Sequence, residues 1–247
     1  MAWYKDWFGE EYLELYAHRD AGEADRHVEF VERHLGAGDR PRAVLDLACG
    51  AGRHTAALRR HGYRTLGVDL SFTLLAVPPR VPCVAGDMSQ LPFAAGSFDW
   101  ILNFFTSFGY FERERENFRV LEEIVRLLAP GGRFLIDFLN RERVLANLKA
   151  HEIQEIKGRR VEIERWYDEE TRRINKRMHL AGPADAGDAT TDTYLESVRA
   201  YSRDEVTIGL RWAGLKVDSL FGNFSGEPFD RDSERLIIVG HRPAEAG

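Results

Sequence analysis

Apolar positions recur at helical spacing over residues 3–35: Trp7, Phe8, Tyr12, Leu15 and Tyr16, then Val28, Phe30, Val31 and Leu35. Gly36 and Gly38 close that run. Short apolar strands and amphipathic segments then alternate. Residues 43–48, 65–68, 81–84, 100–103 and 133–138 predict strands. Residues 53–61 predict a helix ended by Gly62. Residues 116–128 predict another, with Val120, Leu121, Ile124, Val125 and Leu128 on one face and Pro130, Gly131 and Gly132 as its stop. Such alternation predicts a parallel sheet covered by helices on both faces.

The pattern changes after Asn140, which is placed to cap a helix running through Leu148. From residue 151 to 179 apolar and charged positions alternate, with Val161 and Ile163, then Ile174 and Met178, as the apolar ones. This predicts antiparallel strands with one wet face. Residues 182–188 are small and polar, as in a loop. A helix at 203–213 and strands at 216–221 and 236–240 resume the earlier pattern.

A chain of 247 residues suits one large α/β domain, or one domain with an insertion. The net charge of -6 argues against a dedicated nucleic-acid binder. Lys157, Arg159, Arg160, Arg165, Arg172, Arg173 and Arg177 are interleaved with Glu152, Glu155, Glu162, Glu164 and Asp168, which predicts a solvated mixed-charge sheet face. Two cysteines, Cys49 and Cys83, make no disulfide framework. No metal site is expected. No apolar stretch is long enough to span a bilayer, and residues 1–20 lack a secretory pattern, so the expected compartment is the cytoplasm.

The candidate chemistry starts where the first strand ends, in Val44-Leu45-Asp46-Leu47-Ala48-Cys49-Gly50-Ala51-Gly52-Arg53-His54. Gly50 and Gly52 let backbone approach a ligand closely. The helix beginning near Arg53 offers free N–H groups and a positive dipole end. No Gly-Lys-Ser/Thr follows, which excludes a phosphate-binding loop. Thr55 stands where a dinucleotide fold has its third glycine, and would crowd the helix-strand contact. Asp69, ending the second strand, is placed to accept hydrogen bonds from both ribose hydroxyls of an adenosine cofactor. Gly86-Asp87-Met88, after the third strand, offers a carboxylate for an adenine amino group.

Phe98-Asp99-Trp100 and Leu127-Leu128-Ala129-Pro130-Gly131-Gly132 then follow in order. With them the sequence resembles the class I S-adenosylmethionine-dependent methyltransferases over roughly residues 12–138. The resemblance implies a Rossmann-like three-layer α/β sandwich: a mostly parallel seven-stranded sheet with an antiparallel last strand, plus an antiparallel β insertion. It divides the chain into a helical lid (1–38), the cofactor domain (39–150 and 200–247) and an insertion capping the substrate (151–199). S-adenosylmethionine is the implied cofactor. Gly50 and neighbouring backbone hold its methionine part; Asp46 orders the turn and reaches the amino group through water, or only caps backbone donors. Asp69 binds the ribose, Asp87 and Met88 frame the adenine, and Asn103 faces the methionine end. Tyr16, Ala48 and Leu70 complete the set, with Arg53 either on the cofactor carboxylate or exposed at the helix start. Ala48 replaces the family's first loop glycine, and residues 71–82, with Pro78 and Pro79, truncate its second helix.

The acceptor side departs further from known patterns. Asn103-Phe104-Phe105-Thr106 lacks the proline pair of base and glutamine amino methylation, and Cys83 precedes Gly86-Asp87, away from the position of a cytosine nucleophile. The expected pocket combines Phe104, Phe105, Ser107, Phe108, Tyr110 and Phe111 with a lid of Tyr12, Tyr16 and Arg19; the alternative is that these aromatics are core. The block 196–202, with Phe221-Gly222-Asn223-Phe224, resembles a small-molecule branch in which Arg199 and Tyr201 approach the acceptor. His54 is expected to be packed. The implied reaction is in-line methyl transfer to N or O of a small molecule, driven by alignment and needing no catalytic triad. RNA or protein methylation, and a non-catalytic cofactor-binding module, are the alternatives.

Overall fold

Strand-helix alternation does produce a layered sheet in the computed structural model, which describes residues 2–15, 21–36, 41–78, 80–181 and 192–244. The N-terminal run is not one helix. It is α1 (Trp3–Trp7), α2 (Glu10–Leu15) and α3 (Ala21–Leu35). The chain turns after α1, where the Gly9 N–H donates to the Trp7 carbonyl. Tyr16 and Arg19 lie outside the described residues.

Then come β1 (Val44–Leu47), α4 (Arg53–Arg60), β2 (Thr65–Asp69), α5 (Phe72–Leu75), β3 (Cys83–Ala85), β4 (Phe98–Asn103), α6 (Glu114–Leu127), β5 (Leu128–Leu139) and α7 (Arg141–Ala146). The Pro130-Gly131-Gly132 stop is absorbed into the start of β5, directly after α6. The second helix is indeed short, four residues in α5. An insertion of β6 (His151–Ile156), β7 (Arg159–Asp168), β8 (Arg173–Leu180) and β9 (Asp192–Arg199) follows, then α8 (Arg203–Ala213), β10 (Lys216–Phe221) and β11 (Arg235–His241).

Among the described residues the main sheet has seven strands in the order β10-β11-β5-β4-β1-β2-β3. Pairs from β5 to β3 are parallel; β11 runs antiparallel to β5 and to β10. Side chains alternate across it. Leu45, Leu47 and Ile101 pack against Val120, Leu121 and Ile124 of α6 and Leu210 of α8. Val44, Trp100 and Leu102 pack against Val28 and Val31 of α3 and Leu58 of α4. Both faces are dry, which is why these strands read as continuous apolar runs.

Asn140 does not cap α7 with its side chain. Its Nδ2 donates instead to the carbonyls of Asp230, Arg231 and Ser233, at 3.3, 3.1 and 2.7 Å, tying the end of β5 to the loop before β11. The helix ends at Ala146 rather than Leu148.

The insertion is an antiparallel sheet in the order β6-β7-β8-β9. It buries Val161, Ile163, Met178 and Leu180 against Trp7 of α1. The opposite face carries the exposed pairs Glu164–Arg177 and His151–Glu162, the mixed-charge surface expected there. Exposed pairs of this kind contribute little to stability. Among the described residues no helix is long and apolar enough to cross a membrane.

Candidate functional site

The chain leaves β1 toward β2 and β3, then crosses back to β4 and β5. Strand order therefore reverses beside β1, and a crevice opens outside the carboxyl ends of the strands at such a point. A cavity of about 500 Å³ sits there.

One wall is the turn after β1. Ala48, Gly50 and Gly52 all take left-handed φ, of 58°, 57° and 76°. Gly52 admits no side chain, since a Cβ would run into Val81. The backbone N–H groups of α4 start there with no side-chain cap. The crowding expected from Thr55 is relieved on the other side of the contact. A Cβ on Gly67 of β2 would lie 2.7 Å from the Cys49 Sγ and 2.9 Å from the Thr55 Oγ1. The small residue sits on the strand rather than the helix. Gly67→Ala is expected to cost about 1–3 kcal/mol by overpacking. Cys49→Ala in the same chain should recover part of the loss in thermal denaturation; equal losses in both backgrounds would reject crowding as the cause.

Three carboxylates line this wall. Asp46 is fully buried and accepts the Thr55 hydroxyl at 2.6 Å. Burial pushes its carboxyl up to about 6, against the lowering effect of the Thr55 hydrogen bonds. Asp69 accepts the Gly50 N–H on Oδ2 and the Ser71 N–H on Oδ1, both at 2.8 Å. Burial raises this carboxyl too. Asp87 accepts the N–H and hydroxyl of Ser89 on Oδ1. Ala48, Gly50, Leu70 and Met88 face the same cavity. Arg53 reaches it as well, paired with Glu23 and with its guanidinium carbon 4.8 Å from the Phe105 ring centroid. Asn103 does not face it. Its Nδ2 donates to the Leu47 carbonyl at 2.9 Å, where β4 pairs with β1, and the side chain is buried.

The opposite wall is aromatic. Tyr12, Phe105, Ser107, Tyr110 and Phe111 line it, joined by Tyr4 and Phe8 of the N-terminal segment. The Tyr110 ring lies 4.8 Å from Trp3 and stacks on Phe8 at 5.8 Å. The Ser107 hydroxyl donates to the Phe104 carbonyl. Phe108 is core, packed on Phe138 and Tyr201. His54 is packed as expected: buried, 4.0 Å from the Phe104 ring, with Nε2 3.0 Å from the Nδ1 of His27. Burial holds His27 down at about 4.

Arg199 and Tyr201 do not reach the cavity. Arg199 donates to Glu205 at 2.7 Å and to the Ala200 carbonyl. The Tyr201 hydroxyl donates to Glu114 at 2.9 Å, and burial raises its pKa. Both side chains sit behind the 107–111 loop, held by charged partners from α6 and α8.

Arg173, expected on the wet face, is instead buried. It donates from Nε to the Ser197 Oγ at 2.8 Å, and from its two terminal nitrogens to the carbonyls of Phe111 (2.9 Å), Tyr110 (3.0 Å), Gly109 (3.3 Å) and Ser197 (2.6 Å). The reason lies in the phase of β8. Arg173 and Asn175 are buried on one face, Met178 and Leu180 on the other. The first face is covered by the 109–111 loop at one end; the second by α1 at the other end.

A family profile described as "Methyltransferase domain" matches residues 45–136. The chain is 28% identical over 211 residues to a cypemycin N-terminal methyltransferase of Streptomyces sp, covering 81% of this chain and 83% of that one. It is 27% identical over 227 residues to a dTDP-4-amino-2,3,4,6-tetradeoxy-D-glucose N,N-dimethyltransferase of Saccharopolyspora spinosa, covering 83% of each. Among solved structures it is similar to an S-adenosylmethionine-dependent methyltransferase from Clostridium acetobutylicum, with a TM-score of 0.76, 18% identity, and coverage of 92% of this chain and 94% of that one. This last likeness is one of fold.

Proposed function

We propose that this chain is a class I S-adenosylmethionine-dependent methyltransferase and that it methylates nitrogen, or secondarily oxygen, of a small-molecule acceptor. The observation that carries the proposal is one cavity with two unlike walls, carboxylates and bare backbone on one side, aromatic rings on the other. Two relatives that match along most of the chain are named an N-terminal methyltransferase and an N,N-dimethyltransferase. In this reading residues 39–150 and 200–247, with α3 packed on their sheet, hold the cofactor, α1 and α2 form a lid and 151–199 brace the acceptor side.

The donor set fits S-adenosylmethionine. The buried Asp46 carboxyl and the left-handed backbone at Ala48 and Gly50 suit its amino-acid end, with Arg53 beside the carboxylate. Asp69 suits the ribose; Leu70, Asp87 and Met88 suit the adenine. When bound, S-adenosylmethionine supplies the methyl carbon, and its sulfur is the leaving group. The chain's own part is alignment: Phe105 and Tyr110 exclude water and hold the acceptor in line, which can supply much of a barrier reduction.

The test is formation of S-adenosylhomocysteine from S-adenosylmethionine with two amine probes, trialanine and a nucleotide-linked 4-amino sugar. Turnover above the acceptor-free rate with either is expected. S-adenosylhomocysteine binding without turnover of any amine or hydroxyl compound would overturn the proposal in favour of a cofactor-binding module.

Asp46 gives a pH signature. Its carboxyl is neutral below about 6 in the free protein. A ligand ammonium favours the carboxylate, so binding must release protons near that pH. Affinity for S-adenosylhomocysteine should be level above pH 6 and fall as pH drops below it. Calorimetry at pH 5.5 in buffers of different ionisation enthalpy reads the release, and Asp46→Asn should abolish it. Identical heats across buffers in the parent protein would remove Asp46 from contact with the ligand.

A further inference from the structure

Phe105 and Thr106, just past β4, both adopt left-handed φ, of 60° and 58°. Two consecutive side-chain-bearing residues in this region are costly, and something must hold them there. Four hydrogen bonds do. The Phe105 N–H donates to the Asp137 Oδ2 at 2.8 Å, and the Thr106 N–H to the Asp137 carbonyl at 2.9 Å. Arg235 donates from Nε to the Asp137 Oδ1 at 2.7 Å and from Nη2 to the Thr106 Oγ1 at 2.8 Å. Neighbouring strands β5 and β11 thus grip the turn from below.

Neither Asp137 nor Arg235 faces the cavity, and Asp137 is only 1% exposed. Asp137 is buried and Arg235 only partly so, and an ion pair that buries a carboxylate is a poor way to gain stability, since apolar residues of like volume often do as well or better. What this pair does is direct the chain. It turns the Phe105 ring onto the cavity wall, against Arg53 and beside the turn that follows β1.

We propose that Asp137 and Arg235 are positioning residues for the methyl acceptor: they lock the Phe105–Thr106 turn and so set how closely an acceptor can seat against the cofactor. The proposal rests on the methyltransferase reading. It accounts for a carboxylate and a guanidinium at the edge of an otherwise apolar stretch of β5 and β11, and it makes Phe105 the residue that limits acceptor size.

The experiment compares Asp137→Asn and Arg235→Met, each alone and with Thr106→Gly, which takes the left-handed conformation freely. A 4-fluorophenylalanine at position 105 reports the ring by ¹⁹F NMR. S-adenosylhomocysteine affinity should stay within about threefold of the parent in every variant. The ¹⁹F resonance, narrow in the parent, should broaden or split in Asp137→Asn and sharpen again with Thr106→Gly. With the faster of the two amine probes, acceptor KM should rise about tenfold in Asp137→Asn, with a smaller change in kcat, and recover in the double variant. A lowered Tm with an unchanged ¹⁹F line and unchanged acceptor KM would overturn the proposal, leaving the pair a purely structural one. Absence of S-adenosylhomocysteine binding by the parent would instead strike at the methyltransferase reading, while the ¹⁹F line still decides what holds the turn.

Discussion

Asp69→Ala is expected to weaken S-adenosylhomocysteine binding by at least about 100-fold, close to 3 kcal/mol. The carboxylate ends β2 and accepts two backbone N–H groups, from Gly50 and Ser71. Alanine leaves both donors without that acceptor at the floor of the cavity, at about 1–3 kcal/mol for each buried group left unpaired. The Gly50 bond also sets the height of the turn. Losing it detaches the part of the backbone proposed to hold the methionine end, while losing the carboxylate removes the proposed ribose partner. Asp69→Asn keeps one acceptor oxygen and turns the other into a donor facing an N–H, so about tenfold weakening is expected there. Calorimetry on folded variants checks both, with Tm recorded alongside. An Asp69→Ala protein of parental affinity would remove Asp69 from the cofactor site.

Arg173→Met should be the more damaging change for stability, by about 3–5 kcal/mol. One guanidinium serves the carbonyls of Gly109, Tyr110, Phe111 and Ser197. Hydrogen bonds from a charged donor contribute about 1.5–3 kcal/mol each, and buried carbonyls stripped of donors cost more than the bonds themselves gain. For a chain of this size the loss translates to a fall in Tm of roughly 6–20 °C. Arg173→Lys should recover little, because an ammonium cannot copy the planar fork that spans several carbonyls. A lysine variant with parental Tm would show that charge alone, not fork geometry, holds the loop. Tyr110 hangs on this clamp, so the Met variant should also loosen its stack on Phe8, read as a change in near-ultraviolet circular dichroism.

The parts of the site that were legible in the sequence are those made by short-range rules. Strand ends carrying Asp46, Asp69 and Asp87, and the glycines between β1 and α4, follow from spacing along one alternating pattern. Gly67 was legible only in part: Thr55 signalled a tight contact, but which partner would be small depends on two elements meeting. Asn103, Arg199 and Tyr201 were assigned to the cavity because their positions in the chain are right. Their side chains are engaged elsewhere, with the Leu47 carbonyl, Glu205 and Glu114. No periodicity reveals that, since a polar side chain reads the same whether it bonds ligand or backbone. Asp137, Arg235 and Arg173 were illegible for a related reason. Their bonds join residues 32, 129 and 62 positions apart, and the alternation of a strand says which face a residue occupies, not what covers it. The N-terminal run was read as continuous because its aromatic spacing suits a helix. The spacing instead serves a short helix docked on the insertion.

That docking has a temporal side. The Trp7 indole N–H bonds to Glu196, 189 residues further along, and the ring packs on Met178 and Leu180. A five-residue helix does not persist alone. At about 5–20 residues per second of synthesis, the aromatic cluster around Trp7 waits roughly 10–40 s for its partner strands to be made. Through that interval the nascent chain displays sticky indole and phenyl rings with nowhere to go. The aromatic wall of the cavity is therefore completed only when strands far along the chain reach the residues that hold it.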